Sequence, residues 1–230
     1  MRRQTQGFTL VEVLVAIAVM ALMAIMSWRG IDGMLRTQSS VQTRADELRT
    51  LQTALAQWQT DLNQLADLNG TPSWDWDGKV LRLTRQAPAP GQDGVRVVAW
   101  VWRQDASRPG GGDWLRWQSD TLSTREAWQE AWQNARTWSQ TPTDTLRRSE
   151  VQLVPLAGWQ LFVHRGGSWV SPLSSQASVQ SGSASVSYTV STSGHAPDGV
   201  RLLLDLPSNV PLAGRLSLDW VRPTLSGSGS

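Results

Sequence analysis

Hydrophobic and polar positions follow three different rhythms along this chain of 230 residues. Residues 8–26, FTLVEVLVAIAVMALMAIM, are apolar except for Thr9 and Glu12. As a helix this run is about 28 Å long, close to the ~30 Å hydrocarbon thickness of a bilayer, and it predicts a transmembrane helix. Beyond Arg36, Val41, Leu48, Leu51, Leu55, Trp58, Leu62 and Leu65 recur at spacings close to the turn of a helix. That stripe predicts an amphipathic continuation over 27–68, with the intervening Gln, Thr, Arg and Asp on its solvated face. Gly30 and Gly33 each weaken the helix by about 1 kcal/mol relative to alanine and mark a place where it can bend. Asn69-Gly70-Thr71-Pro72 supplies the stop, a glycine after the last periodic residue and a proline beyond it.

After Pro72 the rhythm shifts toward a period of two. Val80, Arg82 and Thr84 alternate with Leu81 and Leu83 over 79–85. The runs 94–103 (GVRVVAWVWR) and 113–118 (DWLRWQ) add further strands through Gly-rich connections, which together predict an antiparallel meander. Ser123-Thr124-Arg125-Glu126 has capping-box spacing and opens a helix that places Trp128, Trp132, Ala135 and Trp138 on one face, closed by Pro142. A second β region starts at Glu150, with Gly166-Gly167 as the turn between strands at 159–165 and 168–170. A Ser-rich stretch follows over 171–193. The last predicted pair is 199–206 with 214–221, joined through 207–211, before a flexible tail at 226–230. The fold class read from this pattern is α+β: a long N-terminal helix packed on antiparallel β-sheets, with a β-rich domain over 72–225.

Composition narrows the chemistry. The chain has no cysteine, which removes disulfide scaffolds, thiol catalysis and cysteine-ligated metals. With 21 Lys+Arg against 19 Asp+Glu, the formal charge of +2 is too small to argue for a nucleic-acid partner. No catalytic residue emerges: there is no G-x-S-x-G elbow, and Gly110-Gly111-Gly112 lacks the lysine of a phosphate cradle. His164 falls on a predicted strand and His195 in a polar loop, and neither has a ligating or catalytic companion. Asp75-Trp76-Asp77-Gly78 is the one weak metal candidate, since paired oxygens before a glycine can begin a calcium loop. It lacks the remaining ligands of such a loop, and Asp-Gly in a tight turn is the competing reading. The 14 tryptophans stand beside 2 Phe and 1 Tyr. Trp74 with Trp76 and Trp100 with Trp102 share sheet faces by their spacing, which fits either core packing or an exposed platform for sugars.

The N-terminus carries the most specific signal. Arg2 and Arg3 precede the apolar run and hold that end on the cytoplasmic side under the positive-inside rule. Glu12 is the anomaly, because a carboxylate in the apolar part of a membrane helix costs about 2.5–3.5 kcal/mol unless it finds a partner. A cut between Gly7 and Phe8 would create an amino group four residues before Glu12, on the same helical face. The segment Gly7-Phe8-Thr9-Leu10-Val11-Glu12 behind a short basic leader resembles the signal of type IV pilins and type II secretion pseudopilins.

That resemblance implies a leader over 1–7, cleavage by a prepilin peptidase between Gly7 and Phe8, N-methylation of Phe8, and a role for Glu12 in filament assembly. It implies a non-enzymatic, single-pass inner-membrane protein with a periplasmic C-terminal domain, no cofactor other than the calcium that some pseudopilins bind, and other minor and major pseudopilins as partners. Removing the leader takes Arg2 and Arg3 with it, leaving 19 bases against 19 acids. Trp28-Arg29-Gly30-Ile31-Asp32-Gly33-Met34-Leu35, WQLFVHRGGSW and GVRLLLDL are similar to stretches of the J-type minor pseudopilins. This likeness implies a place at the tip of the periplasmic pseudopilus. A minor pilin of a type IV pilus and a membrane-anchored carbohydrate-binding module are the alternatives.

Overall fold

A computed structural model describes residues 8–87, 94–165, 167–173, 196–208 and 212–223. The chain divides between Glu47 and Leu48 into two compact units, although helix α1 (Leu10–Asn63) continues through the boundary. The architecture is the expected α+β arrangement of pilin type, a long N-terminal helix followed by antiparallel sheets.

In the first unit α1 stays helical through both Gly30 and Gly33. Asp32 and Arg36 pair one turn apart at 2.8 Å. The hydroxyls of Thr37 and Thr43 donate back to the carbonyls of Gly33 and Ser39, each at 3.0 Å, so the polar side chains of this stretch partly satisfy themselves.

The second unit is built around a sheet of five strands in the order β1-β2-β3-β4-β5: Trp74–Trp76, Val80–Gln86, Val95–Gln104, Gly112–Gln118 and Glu150–Leu156. The predicted meander is its centre, β2 to β4. Two edge strands were not assigned to it from sequence. The Trp74–Trp76 strand is too short to show a period, and β5 belongs here and not with the strands that follow it. Pro155 is compatible with β5 because that strand is an edge, where a missing ladder N–H is tolerated. The chain changes sheets at Ala157, whose N–H donates to the carbonyl of Asp205 at 2.7 Å. The second sheet has the order β7-β6-β8-β9, with β6 at Gly158–Arg165, β7 at Ser168–Val170, β8 at Gly199–Leu206 and β9 at Gly214–Val221. These strands match the predicted ones closely. Most of the Ser-rich stretch, part of the 207–211 connection and the tail at 226–230 lie outside the described residues.

The five-stranded sheet is covered on both faces, which explains why its strands lack a solvated side. On one face Leu81, Leu83, Val98, Trp100 and Trp114 join Leu51, Ala54, Trp58 and Leu62 of α1 with Leu161, Val200, Leu202 and Trp220 of the second sheet. On the other, Val80, Val97, Ala99, Val101 and Trp117 meet helix α2 (Arg125–Gln140) through Trp128, Ala131, Trp132, Ala135 and Trp138. The alternation in β2 is therefore real, but its polar side is not wet. Arg82 reaches Asp75 with Nε at 3.0 Å and lies 4.8 Å over the Trp132 ring, and Thr84 Oγ1 accepts from Trp128 Nε1 at 3.0 Å. The N-cap of α2 is Thr124 and not Ser123, because its extended backbone lets Oγ1 accept from Ala127 N at 3.2 Å. A four-residue helix, α3 (Asp144–Arg147), connects α2 to β5.

Three features of α1 differ from the expectation. It ends at Asn63 and not at 68, because residues 64–66 turn to cover β2 beyond the short β1. Leu65 bridges Arg85, Ala66 N donates to Thr84 O at 2.9 Å, and Gln86 N donates to Gln64 O at 2.9 Å. The stripe closes only from Leu51 onward, while Val41 and Leu48 are exposed. Asp61, assigned by its polarity to the solvated face, is wholly buried. Its carboxylate accepts from Arg85 Nη1 at 2.7 Å, Arg116 Nε at 2.7 Å, Arg116 Nη2 at 2.9 Å, Trp100 Nε1 at 3.0 Å and Gln57 Nε2 at 2.9 Å. Gln118 Oε1 takes a further bond from Arg116 at 2.8 Å. Burial pushes the Arg85 guanidinium below its ordinary value, a tendency that Asp61 opposes.

Removing the acceptor from a buried ion network costs about 3 kcal/mol or more, whereas an exposed pair is worth about 1 kcal/mol or less. Asp61→Asn is thus expected to lower unfolding stability by at least about 3 kcal/mol, and Asp219→Asn, on the surface pair with Arg201, by no more than about 1 kcal/mol. Denaturant titration of the detergent-solubilised chain, followed by tryptophan fluorescence, checks this; equal small losses would remove the network from its structural role.

Candidate processing and assembly site

The first turn of α1 is organised by Thr9. Glu12 N donates to Thr9 O at 3.0 Å and faces Thr9 Oγ1 at 3.4 Å, while the Thr9 hydroxyl points to Glu12 Oε2 at 3.4 Å. The spacing Thr-x-x-Glu is that of a capping box, a signal present in the sequence whose consequence was missed there. Glu12 also lies in the first helical turn, where the exposed N–H groups favour a negative charge by about 0.3–1 kcal/mol. The carboxylate therefore has a local partner before any neighbouring chain is considered. That partner is weak, a long hydroxyl contact on an exposed turn, so most of its accepting capacity is unused.

Phe8 precedes the helix and is 82% exposed. Gly7, the other side of the expected cut, and the leader over 1–7 lie outside the described residues. From Leu10 onward the apolar side chains point outward around the whole circumference of the helix: Leu14, Ile17, Met20, Leu22 and Ile25 are all exposed. Among the described residues this is the one helix long and apolar enough to cross a membrane, and none of its apolar window is buried within the chain. A helix apolar all round, with no protein cover, needs lipid or other helices around it. Trp28 and Arg29 follow it, and Trp28 is the one exposed tryptophan. An amphipathic ring beside a cation suits the membrane–water boundary.

The other candidates fall elsewhere. Asp75 faces Arg82 across the β1–β2 pair, and Asp77 Oδ1 accepts from the backbone N–H of Lys79 and of Val80, both at 2.9 Å. Gly78 at φ 96° completes that turn in a conformation that favours glycine. The two carboxylates thus serve different partners and do not converge. Among the described residues no group of three or more His, Asp or Glu side chains could hold a metal ion. His164 stacks edge-on against Trp169 at 5.4 Å, and His195 lies outside the described residues.

Most tryptophans of the second unit are buried in its cores. Trp58, Trp100, Trp114 and Trp159 form one aromatic knot, with Trp58 to Trp100 centroids 5.2 Å apart and Trp100 to Trp114 4.6 Å apart. Trp128 and Trp132 stack at 5.1 Å inside the α2 interface. Trp58, Trp100, Trp114, Trp128 and Trp132 are buried and offer no stacking platform to a sugar.

Calcium added to millimolar concentration is expected to leave the melting temperature of the chain unchanged; a rise abolished by Asp75→Asn with Asp77→Asn would restore the metal reading.

With this geometry in hand, comparison with known families finds that residues 2–28 match the family described as "Prokaryotic N-terminal methylation motif". The matched span contains Gly7, Phe8 and Glu12 and ends at Trp28. This motif is typical of type IV pilins and pseudopilins, proteins that are generally structural. It implies processing by a prepilin peptidase and assembly with other pilins, and together with the apolar helix it indicates anchoring in the inner membrane.

Proposed function

We propose that this pilin-like chain is a minor pseudopilin of a type II protein secretion system, of the J type, acting as a structural subunit at the tip of the periplasmic pseudopilus. The observation that carries this reading is the methylation motif at the start of an apolar helical run that no part of the described chain buries, on a chain whose other unit closes its own cores. Before assembly the apolar run holds the chain in the inner membrane with Arg2 and Arg3 inside and the C-terminal domain in the periplasm. Cleavage between Gly7 and Phe8 and methylation of Phe8 then leave a mature amino terminus. During assembly the same run exchanges lipid for neighbouring helices, a transfer between two apolar environments with little hydrophobic cost. Glu12 is the polar exception in that transfer, and its unused accepting capacity suits the amino terminus of an adjacent subunit. The J-type assignment rests on the juxtamembrane stretch 28–35 and on the order of the β6–β7 hairpin followed by β8.

Gly7→Ala is expected to abolish cleavage by prepilin peptidase, seen as retention of the leader by mass spectrometry. Glu12→Ala is expected to leave cleavage largely intact and reduce incorporation at least tenfold in sheared filament fractions. Normal cleavage in the first case, or normal incorporation in the second, would overturn the role given to that residue. Co-purification with minor pseudopilins supports the secretion assignment, and co-purification with pilus subunits instead would move the chain to a type IV pilus.

A further inference from the structure

The link from α1 to β1 holds an asparagine followed by a glycine, Asn69-Gly70, in a tight turn. Thr71 N donates to Leu68 O at 3.1 Å, which makes Asn69 and Gly70 the two central residues of that turn. Gly70 takes φ 76°, a left-handed value that suits the third position of such a turn and that a side chain would strain. Both central residues are exposed. Among the described residues no hydrogen bond uses the Gly70 N–H or the side-chain amide of Asn69. An unbonded backbone nitrogen thus follows directly on an unbonded carboxamide, with no Cβ to shield it.

A third group acts on the bond that joins them. Arg125, at the start of α2, donates from Nη2 to the main-chain carbonyl of Asn69 at 3.2 Å. That oxygen belongs to the same peptide unit as the Gly70 N–H. The guanidinium lies directly against Gly70, since a Cβ at position 70 would collide with Nη2. A positive charge bonded to the carbonyl oxygen draws electrons from the peptide unit and makes its N–H more acidic, so the nitrogen becomes a nucleophile more readily. The other asparagines among the described residues lack this combination. Asn63 accepts from Trp220 Nε1 at 2.7 Å through Oδ1 and is followed by Gln64, not glycine. Asn134 lies inside α2, where the N–H of the following Ala135 serves the helix.

From this we infer that Asn69 is a self-acting modification site, which loses its side-chain amide as ammonia in the folded chain, with water as the co-reactant and Arg125 assisting. The Gly70 nitrogen, its proton passed to hydroxide, attacks Cγ of Asn69. The new N–Cγ bond closes a five-membered succinimide. The Cγ–Nδ2 bond breaks, and Nδ2 leaves as ammonia with its third proton taken from water. Water then opens the ring, and the Gly70 nitrogen regains a proton. Attack at Cγ gives an aspartate, whereas attack at the main-chain carbonyl carbon gives an isoaspartate, with the backbone routed through Cγ. The sum is asparagine plus water giving a carboxylic acid plus ammonia. In the isoaspartate the freed carboxylate contains the oxygen that Arg125 already holds. Either product adds one negative charge beside that guanidinium, in the turn that leads α1 into the sheet. The inference rests on this turn and does not depend on the secretion assignment.

The test incubates the full chain in detergent micelles at neutral pH and physiological temperature, in water enriched in heavy oxygen. Trypsin, added afterwards in ordinary water, cuts after Arg49 and Lys79 and releases peptide 50–79, which holds Asn63 and Asn69 together. Fragmentation in the mass spectrometer then assigns the heavy oxygen to one residue or the other. Incorporation is expected at Asn69, and none at Asn63 or at Asn134 over the same interval. Arg125→Gln should slow conversion of Asn69 about threefold and keep the wild-type melting temperature, because it removes the charge and leaves the Asn-Gly sequence. Arg125→Lys, which keeps a charge able to reach the same oxygen, should recover part of that loss. In urea, where the turn and Arg125 are no longer held together, wild type and Arg125→Gln should convert at equal rates, a comparison that serves if the variant disturbs the fold. An unconverted Asn69 in the folded chain, equal conversion of Asn63, a wild-type rate in folded Arg125→Gln, or unequal rates in urea overturns the inference.

Discussion

One buried carboxylate sets the position of α1 on its sheet. Asp61 is fully enclosed and holds Arg85 of β2, Arg116 of β4 and Trp100 of β3 at the same time. These three strands are the centre of the five-stranded sheet, so a single side chain of the helix is tied to each of them. A buried ion network is weak evidence for net stability, since desolvation offsets most of the Coulomb attraction. Its effect is on uniqueness. Leu51, Trp58 and Leu62 would tolerate some rotation or sliding of the helix against an apolar surface, but two guanidinium groups left without their acceptor would not.

The remaining order of the second unit follows from that placement. With α1 and the second sheet on one face, the five-stranded sheet must cover its other face, and α2 does so with five of its own tryptophan and alanine side chains packed on β2, β3 and β4. Arg82 and Thr84, polar residues on that side, are kept dry by bonding to Asp75, Trp132 and Trp128. The tryptophan excess is then a packing solution. Large rings fill a two-sided core in a chain with hardly any Phe or Tyr; several of their indole N–H groups find acceptors, as Trp102 does at Leu156 and Trp138 at Glu150, while those of Trp74 and Trp114 are buried without one among the described residues.

The first unit has the opposite economy. Its helix closes nothing within the chain: the apolar run from Phe8 is exposed, and the side-chain hydrogen bonds of its first turn join Thr9 and Glu12. Such a helix is stable in lipid or among other helices and is costly in water. The proposed passage from a bilayer into a filament would require that property.

What the sequence by itself determined is whatever depends on local order. The apolar run, the N-terminal signal that the methylation motif matches over residues 2–28, the strands β2 to β4 and β6 to β9, and the face of α2 that carries Trp128, Trp132 and Trp138 were all legible, because hydrogen-bond geometry and side-chain period act over a few residues. The capping pair of Thr9 and Glu12 was equally local, and its spacing stood in the sequence unread. Only the tertiary structure decided which sheet β5 joins, where α1 ends, and that Asp61 is core and not surface. Each of these depends on a partner distant in sequence: β4 for β5, Arg85 for the end of the helix, and Arg85 with Arg116 for the carboxylate. Periodicity records polarity, and an aspartate reads as solvated until the two arginines that bury it are brought to the same place.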